Sequence, residues 1–281
     1  MATSYTIETL LDSACRRLRQ FESARLDAEI LLSVVLNKGR EYLYAHSESI
    51  PDGEAVVDFN SLVNKRSQGY PIAYLTGTRE FWSMQFIVNR HTLIPRPETE
   101  LLVEAALDRI PVDRELQILD LGTGCGAIAA AIARERPNAK VVASDISRDS
   151  LATASENTRR HGLSNIRFVY SDWFSELRRH VFHVIVCNPP YVESDNPGFI
   201  ENEIRYEPRL ALDGGYRGLQ AYHRIIPAAL RHLTANGYLL LEHGAAQGEN
   251  IRRILKGSHY CEIQTVRDYS GLDRITYGHA P

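Results

Sequence analysis

The sequence has little cysteine, and its four cysteines are widely separated. No two of them form a Cys-x-x-Cys pair; they are Cys15, Cys125, Cys187 and Cys261. Structural zinc sites, thiol redox centres and small disulfide-rich domains usually show closely spaced cysteines. The ten histidines also lack the spacing of metal ligands. We therefore expect free thiols in a reducing compartment and no metal site.

Long apolar runs and an excess of positive charge are also missing. No stretch stays apolar for the roughly 20 residues that a transmembrane helix needs, and the first 21 residues mix charged with apolar side chains. Lysine and arginine total 32 against 35 acidic residues, a net charge of -3. Such a chain has no overall positive field to attract nucleic acid. We expect a cytoplasmic monomer with no membrane association and no direct nucleic-acid substrate.

At 281 residues with 44% hydrophobic side chains, the chain is long enough for two ordinary domains. Its first part shows helical periodicity in four segments, around residues 7–21, 26–35, 41–46 and 56–63. This pattern predicts a small helical bundle over residues 1–76. The bundle carries no cluster of catalytic residue types, so its role is either structural or the recognition of a partner, and we favour recognition.

After the bundle, the periodicity changes to that of strands. Apolar residues near Ile72 precede Thr76-Gly77-Thr78, and Met84, Phe86 and Val88 alternate with other residues beyond it. This pattern predicts a β-hairpin linker over residues 77–93. A proline-rich segment from Ile94 then leads into a helix with acidic residues in its first turn, and residues 94–281 form the second predicted domain.

The second domain begins with a strand, a glycine-rich turn and an alanine-rich helix. The turn is Gly122-Thr123-Gly124-Cys125-Gly126. Glycine lets the backbone approach a ligand closely, and the free N–H groups of the following helix suit a nucleotide-like ligand. NAD-dependent proteins use a similar G-x-G-x-x-G loop, but its third glycine is missing, because position 127 is alanine and position 129, at G-x-x-G spacing from Gly126, is also alanine. The turn is closer to the D-x-G-x-G-x-G pattern of S-adenosylmethionine enzymes.

The next two strands also end in candidate binding residues. Asp145 follows the strand 140–144, from which a carboxylate can accept both hydroxyl protons of a ribose. Asp172 and Trp173 follow the strand 166–170, where an acid can bond the exocyclic amine of adenine and an aromatic ring can cover its face. The alternatives are a helix-capping role for Asp145 and a core position for Trp173.

The fourth strand, Phe182 to Cys187, ends at Asn188-Pro189-Pro190-Tyr191. The second proline forces Pro189 into an extended conformation, so the Asn188 side chain and the Pro189 carbonyl emerge together at the strand end. Two converging acceptors beside the Tyr191 ring would bind a planar NH2 group. The alternative is a strand that simply ends in a proline turn.

The four strand ends together resemble those of a class-I S-adenosylmethionine-dependent methyltransferase. Further segments, in order, resemble the HemK/PrmC family of protein-glutamine methyltransferases over nearly the whole chain: Thr76-Gly77 with Glu80-Phe81-Trp82, Ile94 to Glu100, Asp120 to Gly124, Asp172-Trp173-Phe174, Asn188 to Tyr191, Glu207-Pro208 with Ala211-Leu212, and Leu241 to Gly244. The resemblance implies an α/β fold with a Rossmann-like seven-stranded sheet, whose last hairpin carries the one antiparallel strand. One departure is Cys125, where many relatives have serine or threonine.

By this resemblance, the chain would methylate the side-chain amide nitrogen of the glutamine in the Gly-Gly-Gln tripeptide of class-I peptide chain release factors. S-adenosylmethionine would be the cofactor and S-adenosylhomocysteine the product. The implied cofactor residues are Gly122, Thr123, Gly124, Cys125, Gly126, Asp145, Asp172, Trp173 and Asn188. The implied glutamine site is Asn188, Pro189, Pro190 and Tyr191, with Asn188 and Pro189 catalytic.

Two other functions remain open at this point. A DNA or RNA amino-methyltransferase acting on adenine or guanine predicts a basic groove and an extra base-recognition domain, and neither is evident. A non-catalytic binding module predicts loss of Asn188 or of the glycine turn, and both are present. The irregular stretch 192–219 predicts a lid beside the site. We also expect a helix from Tyr222 to Leu233, kinked at Pro227 and capped by Gly237.

Overall fold

The computed structural model describes residues 5–197, 199 and 203–281. These residues form two compact units. One consists of the described residues up to Thr78 together with 203–206, and the other holds the rest of the described chain from Arg79 onward.

The first unit is built from five helices around its own apolar core. They are α1 (Ile7–Arg17), α2 (Ala24–Leu36), α3 (Arg40–Ala45), α4 (Gly53–Ser67) and α5 (Ile72–Thr76). Leu10, Leu31 and Phe59 are among the fully buried side chains of this core. The residues around Ile72 lie in the predicted helical domain 1–76 but outside its four predicted helical segments. They form α5, which ends at Gly77 in the left-handed conformation (φ 75°).

Residues 203–206 join this unit through side chains of α4 and the segment after it. Arg66 is buried and donates to Asp27 at 2.7 Å and to Glu203. The Tyr206 ring stacks on Tyr70 with centroids 3.9 Å apart. The sequence pattern had placed these residues in one continuous lid, but this part of the stretch packs with the helical unit.

The predicted hairpin consists of β1 (Thr78–Phe81) and β2 (Met84–Ile87), and from Arg79 onward it belongs to the second unit. Trp82 and Ser83 form its turn, with φ of 52° and 53°. Two successive positive φ values match the right-handed twist of paired strands, although glycine usually takes such positions. The Trp82 backbone and indole N–H groups donate to Glu100 (2.7 Å) and Glu135 (3.0 Å), which supports the turn.

Seven strands form the main sheet, in the order β5-β4-β3-β6-β7-β9-β8. Strands β3 to β7 are parallel, and β9 runs antiparallel between β7 and β8. The predicted class-I methyltransferase sheet, with its one antiparallel strand in the last hairpin, is therefore confirmed. The strands are β3 (Gln117–Leu121), β4 (Lys140–Asp145), β5 (Ile166–Tyr170), β6 (Phe182–Cys187), β7 (Leu233–Glu242), β8 (Cys261–Arg267) and β9 (Asp273–His279).

Helices precede or follow most of the parallel strands and pack against the sheet. They are α6 (Glu100–Leu107), α7 (Ala127–Glu135), α8 (Arg148–Arg160), α9 (Gln220–Ala229) and α10 (Gly248–Gly257). The alanines of α7 are almost wholly buried, and β3 and β6 are buried along nearly their whole length, as expected of parallel strands covered on both faces. The carboxyl ends of β3 to β6 consequently lie side by side at one edge of the sheet.

One boundary was predicted wrongly. The helix expected to run to Leu233 ends at Ala229, one 3₁₀ turn follows, and β7 begins at Leu233. Gly237 lies inside β7 instead of capping a helix. It follows Asn236, whose φ is 59°, at the point where the register between β6 and β7 shifts. In the part of the chain that the structure describes, no helix is both long and apolar enough to cross a membrane. The four cysteines are free, as predicted.

Candidate active site

The carboxyl ends of β3 to β6 surround a cavity of about 390 Å³. This is the edge at which open α/β sheets bind ligands. Eight of the residues singled out from the sequence line the cavity: Gly122, Gly124, Asp145, Asp172, Trp173, Asn188, Pro189 and Pro190. The four strand-end motifs therefore meet in one place.

The glycine turn presents only part of itself to the cavity. Gly122 and Gly124 line it, and their φ values of 80° and 57° lie in the left-handed region that favours glycine. Gly126 packs against α8 instead, where a Cβ would lie 2.9 Å from the Ala154 Cβ. Thr123 and Cys125 are buried, and burial raises the pKa of the Cys125 thiol to about 12. Thr123, Cys125 and Gly126 do not line the cavity. They support the turn from the side that faces the protein interior.

Asp120 supports the turn from inside the protein. It is fully buried, and its Oδ2 accepts hydrogen bonds from the Thr123 hydroxyl (2.6 Å) and the Ala129 N–H (3.1 Å). These bonds tie the end of β3 to the turn and to α7. Burial raises the pKa of Asp120 to about 7. The sequence showed this aspartate only as part of a pattern and gave no role for it.

Replacing Asp120 with asparagine is expected to change the pH dependence of stability. A carboxyl group with a raised folded-state pKa stabilises the fold at acid pH, and this contribution is lost as the pH rises through its folded pKa of about 7. The free energy of unfolding of the variant should therefore fall less steeply between about pH 5 and about pH 8 than that of the wild type. Urea titrations across this range measure the difference. Asp268→Asn is the control that should leave this slope unchanged, because hydrogen bonds lower the pKa of Asp268 and its contribution to stability is lost only at more acid pH. Identical slopes for wild type and Asp120→Asn would contradict the expectation.

Asp145 joins the turn to the next helix. Its Oδ2 accepts from the Gly124 N–H at 2.9 Å, and its Oδ1 accepts from the Ser147 N–H at 2.8 Å. Ser147 in turn caps α8 by accepting from the Ser150 N–H. Burial raises the pKa of Asp145. The carboxylate lines the cavity, and each oxygen has lone-pair capacity beyond these bonds. The local role and the predicted ribose contact are therefore compatible.

Asp172 and Trp173 lie at the end of β5, with a partner that the sequence did not indicate. Both oxygens of Asp172 accept from Arg224 Nη2, at 3.2 and 3.1 Å, and both side chains are about half exposed. Trp173 takes a left-handed backbone conformation (φ 50°), and its carbonyl accepts from the Ser171 hydroxyl. Its ring lies next to Gly122. No spacing in the sequence links Arg224, in α9, to this strand end.

The Asn188-Pro189-Pro190-Tyr191 turn presents its first three residues to the cavity. Asn188 Nδ2 donates to the Thr99 hydroxyl oxygen at 3.2 Å. The other end of the amide, Oδ1, therefore faces away from Thr99. Among the described residues, none donates a hydrogen bond to Asn188 Oδ1 or to the Pro189 carbonyl. Both acceptors therefore keep their hydrogen-bonding capacity, and both residues line the cavity.

Tyr191 occupies a different environment from the one expected for it. Its ring packs against the apolar core, and its hydroxyl donates to Glu242 Oε1 at 3.3 Å. Burial raises the pKa of this phenol well above its usual value. Its predicted contact with a substrate group remains a prediction, whereas its packing and hydrogen bond anchor the turn.

Two glycines outside the predicted set hold the far side of this turn. A Cβ at Gly214 would lie 2.7 Å from the Pro190 carbonyl oxygen, and one at Gly218 would lie 2.0 Å from the Tyr191 carbonyl oxygen. Gln247 Nε2 also donates to the Tyr191 carbonyl at 3.1 Å. The stretch after the turn therefore packs directly on its backbone. In the sequence, this contact is indicated only by the two glycines, Gly214 and Gly218.

Two family descriptions match the chain in separate segments. Residues 9–77 match the PrmC N-terminal domain, and residues 97–205 match the Methyltransferase small domain. Among solved structures, a methyltransferase from Pyrococcus furiosus aligns with a TM-score of 0.53 at 18% identity, covering 78% of this chain and 96% of that one. The T. thermophilus 16S rRNA N2 G1207 methyltransferase aligns with a TM-score of 0.52 at 19% identity, covering 73% of this chain and 50% of that one. These likenesses show the fold.

Whole-length relatives are much more similar. The release factor glutamine methyltransferase of Salmonella typhimurium is 46% identical over 268 residues, which is 95% of this chain and 96% of that protein. The Escherichia coli protein of the same name is 42% identical over the same shares of both chains. Identity of this level over almost the entire length, with the glycine turn and the Asn-Pro-Pro-Tyr turn at one cavity, means that the chain belongs to the release factor glutamine methyltransferase family.

Proposed function

We propose that this chain transfers a methyl group from S-adenosylmethionine to the side-chain amide nitrogen of the glutamine in the Gly-Gly-Gln tripeptide of class-I peptide chain release factors. The observation that carries the proposal is the pair of available acceptors, Asn188 Oδ1 and the Pro189 carbonyl, at the same cavity as the glycine turn and Asp145. We propose in the same way that release factors are the protein partners of this chain and that it acts in the cytoplasm.

The residues of the cavity fit S-adenosylmethionine. The cavity volume of about 390 Å³ lies within the range of small-molecule sites. Asp145 offers carboxylate oxygens for ribose hydroxyl groups, and Gly122 and Gly124 let the backbone approach the ligand. Trp173 and Ile146 offer apolar surface to a flat base. When bound, S-adenosylmethionine supplies an electrophilic methyl group and leaves as S-adenosylhomocysteine.

The chain's own contribution to the reaction is positioning. An amide nitrogen is a poor nucleophile because its lone pair is delocalised, and it is too weak an acid for a carboxylate to deprotonate first. If Asn188 Oδ1 and the Pro189 carbonyl each accept one amide hydrogen, the nitrogen is held in one orientation. The positive charge that develops on it then meets two carbonyl dipoles. Proton loss follows methyl transfer.

Transfer of labelled methyl to purified acceptors tests the function. A class-I release factor should become labelled, while DNA, RNA and a release factor with its Gly-Gly-Gln glutamine changed to alanine should not. The net charge of -3 gives no reason to expect a nucleic-acid substrate. Labelling of DNA or RNA in preference to the release factor would replace this function with the alternative one.

For the helical unit, we propose recognition of the folded release factor. Two observations support this proposal. The unit has its own apolar core, and it also presents apolar side chains to solvent, among them Ile50 (62% exposed) and Val57 (67% exposed). Removing the unit is a poor test, because residues 203–206 pack with it. Substitution on its surface leaves those contacts in place.

Accordingly, Ile50→Asp with Val57→Asp is expected to lower kcat/KM for the intact release factor by about tenfold or more, because each change places an unpaired charge in an apolar contact. Activity on a short Gly-Gly-Gln peptide should not change, because the catalytic cavity is untouched. Steady-state kinetics on both substrates separates the two effects, and Tyr269→Asp, at a 93% exposed residue of the other unit, is the control. An equal loss on both substrates would contradict a recognition role for these residues.

A further inference from the structure

A buried carboxylate that the proposed reaction does not use lies beside the Asn188 turn. Glu242 is the last residue of β7, and the residue before it, Leu241, pairs with Cys187 of β6. Glu242 therefore lies next to Asn188 at the sheet edge. Its exposure is 1%, its Oε1 accepts from the Tyr191 hydroxyl, and its Oε2 has no hydrogen-bond partner among the described residues. An unpartnered buried carboxylate oxygen is costly, so it calls for a functional or structural reason.

Thr99 connects this carboxylate with Asn188. The Thr99 side chain is buried, and its oxygen accepts from Asn188 Nδ2 at 3.2 Å. The same side chain lies against Glu242 and lowers its pKa. A hydroxyl group has a single hydrogen, so the hydrogen of Thr99 points away from Asn188. The Thr99 hydrogen therefore remains for the neighbouring Glu242 carboxylate, one oxygen of which has no donor among the described residues.

We propose that Glu242 is a positioning residue which, through Thr99, fixes the direction of the Asn188 amide so that Oδ1 faces the substrate. An ionised Glu242 only accepts hydrogen bonds, so Thr99 must donate to it and can then only accept from Asn188. A neutral acid or amide at position 242 can donate to Thr99, which is then free to donate to Asn188 Oδ1. The amide would turn and present its NH2 to the substrate NH2. This inference rests on the proposed function.

The charge state of Glu242 is set by groups from several elements. Burial raises its pKa to about 7, Thr99, Tyr191 and Arg274 lower it, and Glu98 raises it. Arg274 itself donates to Asp268 at 3.0 Å. The other titratable groups that interact with Glu242 or with its partner Tyr191 are Cys187, Tyr222 and Arg96. Since a carboxyl group is ionised above its pKa, the Asn188 amide is held in place as the pH rises above about 7 and released as the pH falls below it.

Glu242→Gln is the first test, because it keeps the shape and removes the charge. We expect kcat for methyl transfer to fall about 10- to 100-fold at about pH 8, the size of a lost charge-assisted hydrogen bond. The Kd for S-adenosylmethionine should not change. At about pH 5.5 the wild type is itself protonated at Glu242, so the ratio of wild-type to variant kcat should shrink towards one. Asp120 and Asp145 are present in both enzymes, so their titration cancels in this ratio. A ratio that is one at both pH values, or that stays large at the acid pH, would overturn the inference.

Thr99 variants provide a second test that does not depend on the folding of Glu242→Gln. Thr99→Val removes the hydroxyl group with little change of shape and should lower kcat by a similar factor, whereas Thr99→Ser should restore it. Combining Thr99→Val with Glu242→Gln should cost no more than Thr99→Val alone, because both act on one chain of hydrogen bonds. Additive losses, or full activity of Thr99→Val, would overturn the inference.

Failure of this inference is distinguishable from failure of the proposed function. If the wild type does not label a release factor, the function itself is wrong. If the wild type is active and Asn188→Ala is not, while Glu242→Gln behaves as wild type at every pH, only the positioning role of Glu242 is wrong.

Discussion

Replacing Asn188 with alanine is expected to lower kcat about 100- to 1000-fold, the usual cost of removing one preorganised dipole from a developing charge. The variant loses one of the two acceptors at the end of β6, and the amide nitrogen is then free to rotate away from the methyl group. Binding of S-adenosylmethionine should change little by comparison, since the glycine turn and Asp145 are untouched. Single-turnover kinetics on a release factor, together with calorimetry on the cofactor, measures both quantities.

Asn188→Asp is the matched control. It keeps an oxygen at the position of Oδ1 but loses the Nδ2 donor to Thr99, whose single hydrogen the Glu242 carboxylate already uses. If acceptance towards the substrate is what matters, the aspartate variant should retain measurable turnover above the alanine variant. Equal failure of both would show that the Nδ2 donation is also required. Normal glutamine methylation by Asn188→Ala would eliminate the proposed mechanism.

The second large effect is expected at Asp145. Asp145→Ala should weaken S-adenosylmethionine binding by about 1.5–3 kcal/mol through loss of the charge-assisted bond to ribose. The same change releases the Gly124 and Ser147 N–H groups, which Asp145 holds at 2.9 and 2.8 Å, so the loss should lie at the upper end of this range. Calorimetric titration measures it.

The two variants should differ in how they respond to cofactor concentration. Raising S-adenosylmethionine should recover much of the activity of Asp145→Ala, because its defect is in binding, but none of that of Asn188→Ala. Asp172→Ala is a useful comparison, since its carboxylate is half exposed and bonded to Arg224. Unchanged cofactor affinity in Asp145→Ala would move the ribose contact elsewhere in the cavity.

Much of the fold could be predicted from the sequence because its patterns are local. The strands before Gly122 and Asn188 are short apolar runs that stop at a glycine turn and a proline turn, and β4 ends at the polar Asp145. Carboxyl ends of parallel strands meet at one edge, so the strand-end motifs could be placed together without coordinates. The two prolines after Asn188 similarly fixed where β6 ends.

The errors arose where several structures suit one local pattern. The apolar residues around Ile72 fit a strand or a helix equally well over five positions, and the helix was missed. In the sequence, Gly237 looks like a glycine that ends a helix. Its actual setting, beside Asn236 with positive φ and at the register shift in β7, depends on the pairing of β7 with β6. Short segments are settled by tertiary contacts that no window of sequence contains.

The supporting residues of the site were the least predictable. Glu242 and Asn188 meet because β6 and β7 are neighbours, and Thr99 contacts Asn188 from a turn 89 residues earlier in the chain. Arg224 reaches Asp172 from a helix 52 residues further on. Gly214 and Gly218 are needed because the chain passes too close to the Pro190 and Tyr191 carbonyl groups for any Cβ. Each of these contacts requires the folded sheet, so spacing along the chain does not reveal it.

Tandem mass spectrometry of a release factor incubated with S-adenosylmethionine tests the central claim most directly. With the wild-type chain, we predict one added methyl group on the side-chain amide nitrogen of the Gly-Gly-Gln glutamine, and with Asn188→Ala, an unmodified glutamine over the same time. A methyl group on any other residue, or the same glutamine methylation by both proteins, would contradict the account.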